Sequence, residues 1–173
     1  MVLEKRLSRQ SALRMNRFLF VSFVALLLAS CGPKEEDVRR MVREELSRTM
    51  VRKIVSPVQV IGLYSPAVRV GNFLFVSGQI GLDQETGQLK NESIEIETRQ
   101  VLENINVILH SEGFDSSEVV SATVYMKNLD DYARMNLIYG GYFGEGNYPA
   151  RSTVGVTALP KEANIEIAVI ACK

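Results

Sequence analysis

Tryptophan is absent from the 173 residues, histidine occurs once and cysteine twice. One His and two Cys leave almost nothing for a zinc site, which takes four such ligands, or three plus water. No metal site and no cofactor is expected. No charge sign prevails either, with 20 Lys and Arg against 20 Asp and Glu. The distribution is uneven. Residues 1–30 hold five basic side chains and one acidic one, so the remainder holds 15 and 19, a net of −4. An acidic body lacks the basic patch that neutralises phosphates, and no nucleic-acid partner is expected. Missing too are a phosphate-cradling Gly-rich loop, a nucleophile elbow and a second His for a triad. Hydrophobic residues at 46% and charged residues at 23% fit one globular domain.

The one long apolar run, Phe18 to Ser30, has 13 residues, and a spanning helix needs about 20. Arg14 and Arg17 precede it, as in a secretory signal, and Met15 is an alternative start. Leu28-Ala29-Ser30-Cys31 at its end resembles the lipobox of bacterial lipoproteins. The resemblance implies a signal peptide over residues 1–30 and a lipid on the Cys31 sulfur. The mature protein would then be held on the periplasmic or extracytoplasmic side of a membrane. With Cys31 acylated, Cys172 has no partner and reads as an inert tail residue. Lys34 to Lys53 carries seven basic and five acidic residues, and Val38, Met41, Val42 and Leu46 follow helical spacing. Residues 31–54 read as a charged helical stalk; too few apolar positions repeat for a sustained coiled coil.

The domain proper is read over residues 55–173. Val68 to Val70, Gly71-Asn72 and Phe73 to Val76 form a hairpin pattern. Ile94, Thr98, Val101, Leu102, Ile105, Ile108 and Leu109 trace one helix face, with Ser93 as N-cap and Gly113 closing it. Val120 to Met126 alternates as a half-buried strand does. Asp130 and Asp131 open a second helix whose face is Tyr132, Met135, Tyr139 and Tyr142. Val154 to Val156 and Ile165 to Val169 close the sheet. The order reads β-β-α-β-α-β, with room for a short extra strand at Val58 to Val60. The fold class is α+β, two helices on one face of a mixed sheet. The opposite face then needs a cover. Val68, Phe73, Val124, Val154, Ile167 and Val169 are the apolar strand residues that point there on one parity or the other.

Chemistry must come from carboxylate, guanidinium, hydroxyl and backbone groups. His110 sits near a helix end and reads as a solvated residue. Arg151, after Tyr148-Pro149-Ala150 and leading into a strand, can aim its planar fork at a carboxylate. Glu166 lies inside Ile165-Glu166-Ile167-Ala168-Val169-Ile170, on the parity opposite its apolar neighbours; alternation alone makes it a solvent-facing strand residue.

Four blocks in order carry a family resemblance: Ile61-Gly62-Leu63-Tyr64-Ser65-Pro66-Ala67, Phe75-Val76-Ser77-Gly78-Gln79-Ile80, Pro149-Ala150-Arg151-Ser152-Thr153-Val154, and Leu159-Pro160-Lys161 with Ile165-Glu166-Ile167. Together they resemble the Rid (reactive intermediate deaminase, YjgF-like) family. The resemblance implies a chorismate-mutase-like α+β fold, a homotrimer with clefts between subunits, and hydrolysis of enamines and imines such as 2-aminoacrylate to 2-oxo acids and ammonia. It implies that Arg151 binds the substrate carboxylate and Glu166 activates water, with Tyr64, Ser77, Gly78, Asn136 and Thr153 lining the cleft. Two features depart from the family: Leu63, where many members have Pro before the cleft Tyr, and the lipoprotein leader. The rival reading is a trimeric binding module for small carboxylate or amino-acid-like ligands, without turnover.

Overall fold

The computed structural model describes residues 34–49, 52–58 and 60–173. Residues 1–30, read as a signal peptide, and Cys31 lie outside them. The chain divides into two units between Arg48 and Thr49. In the first, α1 (Glu35–Thr49) is a solvated helix. Glu35–Arg39 and Asp37–Arg40 pairs brace its first turns, and Met41, Val42 and Leu46 are exposed. Among the described residues no helix is long and apolar enough to cross a membrane.

The second unit is one six-stranded mixed sheet with two helices. The strands are β1 (Arg52–Val55), β2 (Ala67–Val70), β3 (Phe73–Gln79), β4 (Val119–Met126), β5 (Ala150–Gly155) and β6 (Ile165–Cys172). Helix α2 (Ile94–Ser111) follows β3, and α3 (Tyr132–Phe143) follows β4. Their sheet order is β1-β2-β3-β6-β4-β5, antiparallel except for the parallel β4–β5 pair. The fold is thus α+β, with β6 near the centre and β5 at an edge. Three expectations are corrected. The extra strand lies earlier than Val58 to Val60, at Arg52–Val55, where it pairs antiparallel with Ala67–Val70, and Pro57, with no N–H to donate, keeps it from running on. Arg52 and Lys53 consequently belong to the sheet rather than the stalk. Cys172 is no tail residue either; it pairs with Phe73 in the last strand.

Local chemistry explains the elements. Gly71 takes φ +58 in the two-residue hairpin turn, a conformation that costs a side chain and costs glycine nothing. The Ser93 hydroxyl accepts the Ile96 N–H at 3.3 Å and starts α2. Alternation then settles the two sheet faces. Leu74, Val76, Ala122, Val124, Met126, Ile165, Ile167 and Val169 are buried with Ile105, Ile108, Leu109, Met135 and Phe143 of the helices. Register places Ile54, Val68, Phe75, Ile170, Tyr125, Glu166 and Val154 on the other face. Of the six residues read as needing a cover, Val68, Phe73 and Val154 lie there. Val124, Ile167 and Val169 are the core beneath the helices. Phe73 and Phe75 are each 45% exposed.

Candidate active site in two halves

Strand β3 is interrupted between Val76 and Gln79, where its register against β6 shifts. Such a bulge re-aims side chains and frees backbone. The Ser77 hydroxyl donates to the Ser65 carbonyl at 2.7 Å, and the Ser77 N–H donates to the Pro66 carbonyl at 2.9 Å. Those two bonds hold the Tyr64 loop against β3. Gly78 faces Glu166 so closely that a Cβ there would collide with the carboxylate. Tyr64, Ser77, Gly78 and Glu166 therefore meet in one cavity of about 350 Å³, completed by Ile61, Ile80, Leu82, Gln84, Asn104 and Pro160. Glu166 is half-buried, and no described group donates a hydrogen bond to it. Burial pushes its carboxyl above the ordinary 4.5.

Arg151 stands elsewhere. It pairs with Ala122, whose side chain faces the helices, whereas Glu166 pairs with Tyr125 on the opposite face. The two side chains thus belong to different faces of one sheet. The Arg151 guanidinium lies 4.4 Å from the Tyr139 ring centroid and 5.6 Å from that of Tyr132, a cation–π cradle. Its Nη2 donates to the Tyr132 hydroxyl at 2.9 Å. Among the described residues no carboxylate pairs with it. Asn136 and Thr153 line the same region, with Leu129, Gly140, Tyr148 and Pro149. The Asn136 amide near it, with the Arg151 charge, lowers the Tyr132 hydroxyl below its usual range. Burial pushes Tyr139 up to about 12. The Tyr139 and Thr153 hydroxyls are buried with no described hydrogen-bond partner.

The residues expected at the site therefore fall into two sets in a single chain: Tyr64, Ser77, Gly78 and Glu166, and Arg151, Asn136 and Thr153. Alternation held for Glu166: it lies on the face opposite Ile165, Ile167 and Val169, half-buried there in the pocket rather than fully solvated. Tyr132 and Tyr139 were legible only as a helical face, and their service to Arg151 shows once it reaches them from β5. His110 is exposed on α2 beside Asn106. Among the described residues no group of His, Cys, Asp or Glu could hold a metal ion.

Fold and cavities together define an α+β protein with a guanidinium on one face of its sheet and a half-buried carboxylate on the other. The chain belongs to the Endoribonuclease L-PSP (YjgF/Rid-like) family, whose profile matches residues 54–173. It is 50% identical over 113 residues to a RutC family protein of Pyrococcus horikoshii, spanning 65% of this chain and 89% of that protein. It is 45% identical over 111 residues to the 2-iminobutanoate/2-iminopropanoate deaminase of Rattus norvegicus, spanning 64% of this chain and 80% of that protein. The crystal structure of the YjgF gene product from E. coli superposes with a TM-score of 0.66 at 36% identity, covering 70% of this chain and 98% of that one.

Proposed function

We propose that this protein is an enamine and imine deaminase, hydrolysing 2-aminoacrylate-type intermediates to 2-oxo acids and ammonia. One observation carries the reading. The domain holds a guanidinium with no carboxylate partner and a half-buried carboxylate with no cationic one, among the described residues. An imino acid supplies the anion for the first and the electrophilic carbon for the second. The likeness to the rat deaminase supports the same reading.

Arg151 takes the substrate carboxylate through its unused donors, in a geometry a fork can match with two parallel bonds. Glu166 accepts a proton from water as the water oxygen bonds to the imine carbon and the imine nitrogen takes a proton. Glu166 then passes its proton to that nitrogen as the C–N bond breaks and ammonia leaves. The hydroxyl gives its proton to solvent, replacing the one the nitrogen first took, to become the 2-oxo group. No activated nucleophile is required, and orientation supplies much of the rate. The net −4 body and a carboxylate in the cleft do not suit a polyanionic substrate.

The two halves come together through assembly. Three copies closing their open sheet faces around an axis would bury Val68, Phe73, Phe75 and Val154. They would also set the Arg151 cradle of one copy against the Glu166 pocket of the next. Lipidation at Cys31 would hold such a homotrimer on the extracytoplasmic side of a membrane by three anchors, where one chain alone binds only marginally. The test is release of ammonia and 2-oxo acid from freshly generated 2-aminoacrylate, using protein that lacks residues 1–30. Release at the uncatalysed rate would refute the deaminase reading and favour ligand binding without turnover.

A further inference from the structure

Helix α2 buries a carboxylate on a face it shares with the polar Gln100 and Asn104, among core residues. Glu97 is fully buried beside Ile94, Val101 and Leu102. An unpaired charge in such a place is costly, and no salt bridge to it occurs among the described residues. Both its oxygens are instead taken up by Asn164, with the Ile165 backbone N–H beside them. Oε1 accepts the Asn164 backbone N–H at 2.9 Å, and Oε2 accepts the Asn164 side-chain amide at 2.8 Å. From the other side, the Lys127 N–H donates to the Asn164 carbonyl at 3.0 Å. Asn164 is thus gripped at N–H, C=O and side chain, immediately before β6. Glu166 follows two residues later.

The same helix face grips the opposite wall of the pocket. Asn104, two turns along, donates to the Ile80 and Leu82 carbonyls at 3.1 and 2.8 Å. Between them Gly81 lets the wall approach the helix; a Cβ there would stand 2.6 Å from the Glu97 Cγ. The segment leading to Asn164 is itself strained. Lys161 and Glu162 have φ of +53 and +59, a left-handed conformation that side chains resist. Pro160, just before them, lines the pocket. Such a turn persists only where its surroundings hold it.

We infer that Glu97 is a positioning residue for Glu166, acting through Asn164 to fix the start of β6 and the Pro160 wall. The assignment rests on the deaminase reading, in which Glu166 handles the proton of the attacking water. A displacement of about 1 Å at a reacting group can cost about a hundredfold in rate. Arg151 is held by Tyr132 and Tyr139 of α3 and shares no contact with this staple, so substrate capture should be spared.

The experiment compares Glu97→Met, Glu97→Gln and Asn164→Ala in protein lacking residues 1–30. Its readouts are kcat and KM for freshly generated 2-iminobutanoate, the Tm, and hydrogen exchange at the amides of residues 165–168. Glu97→Met should lower kcat about ten- to a hundredfold with KM within about twofold. Glu97→Gln should recover most of it. Its carbonyl still accepts the backbone N–H, and Asn164 can turn its amide to accept from the new one. Asn164→Ala keeps the backbone bond and should lose kcat by an intermediate factor with faster exchange at 165–168. It decides the matter if Glu97→Met does not fold. Unchanged kcat in Asn164→Ala, or Glu97→Gln no better than a folded Glu97→Met, would overturn the assignment. A wild type without turnover would overturn the deaminase reading instead. Exchange at 165–168 would then judge the staple alone: faster in Asn164→Ala upholds it, unchanged refutes it.

Discussion

Arg151 rests between aromatic rings at the parallel edge of the sheet, whereas Glu166 projects from its centre into a pocket walled mostly by loops. The cradle draws on one helix: Tyr132, Asn136 and Tyr139 all come from α3, and Arg151 reaches them from β5, the edge strand paired with β4. The pocket is assembled from distant pieces: a bulge in β3, the Tyr64 loop, the Ile80 to Leu82 wall and the Pro160 turn. A guanidinium keeps its charge anywhere, so its half needs only orientation. A general base needs a raised proton affinity as well, and half-burial supplies it. On the proposed mechanism, one half holds the substrate and the other reacts with it.

Substitutions can break that division. The largest effect is expected from Glu166→Gln: kcat falling about 10²–10⁴-fold, the usual worth of a general base, while a stable carboxylate analogue still binds. Binding lost together with turnover would instead give Glu166 a part in capture. Arg151→Ala should lower kcat/KM about a hundredfold or more, with Lys a poor substitute because it lacks the fork. Rescue by Lys would reduce Arg151 to a point charge. Gly78→Ala, whose Cβ meets the Glu166 carboxylate, should cost about tenfold in kcat at little cost in Tm. Tyr132→Phe should do least, raising KM a few-fold by removing one hydrogen bond to Arg151.

The pH dependence sharpens the same contrast. Burial raises the Glu166 carboxyl above 4.5, so protonation favours the folded state. That contribution is fully present below 4.5 and is lost as pH rises through the raised folded value. Glu166→Gln should accordingly melt higher than wild type at neutral pH and no higher below 4.5, as thermal melts across pH would show. The rate's acid limb should lie above 4.5 and disappear in that variant.

Much of the fold was legible because alternation and capping are local. The Gly71-Asn72 turn, the Ser93 cap and the apolar stripe of α2 each follow from a few adjacent residues. The candidate site residues were named by type and by resemblance, and clefts between subunits were implied by that resemblance, but the sheet face each residue occupies was not legible. Val68 and Val124 look alike as strand residues, and only pairing register sends one to the open face and the other to the core. Register likewise separates Arg151 from Glu166. Tyr139 reads as a core helix residue because its periodicity is that of Met135 and Phe143; the guanidinium against its ring comes from a strand 12 residues further on. Glu97 gives no sequence signal beyond a charge on an apolar face, since its partner lies 67 residues away.

The central claim is that a working site takes Arg151 from one copy and Glu166 from another. Two inactive proteins test it most directly: Arg151→Ala and Glu166→Gln, mixed in equal amounts and allowed to exchange subunits. Random cyclic assembly would give each interface an even chance of an intact Arg151 and, independently, of an intact Glu166. About a quarter of wild-type activity should then return. No activity above the two separate variants, with subunit exchange confirmed by mass, would contradict it.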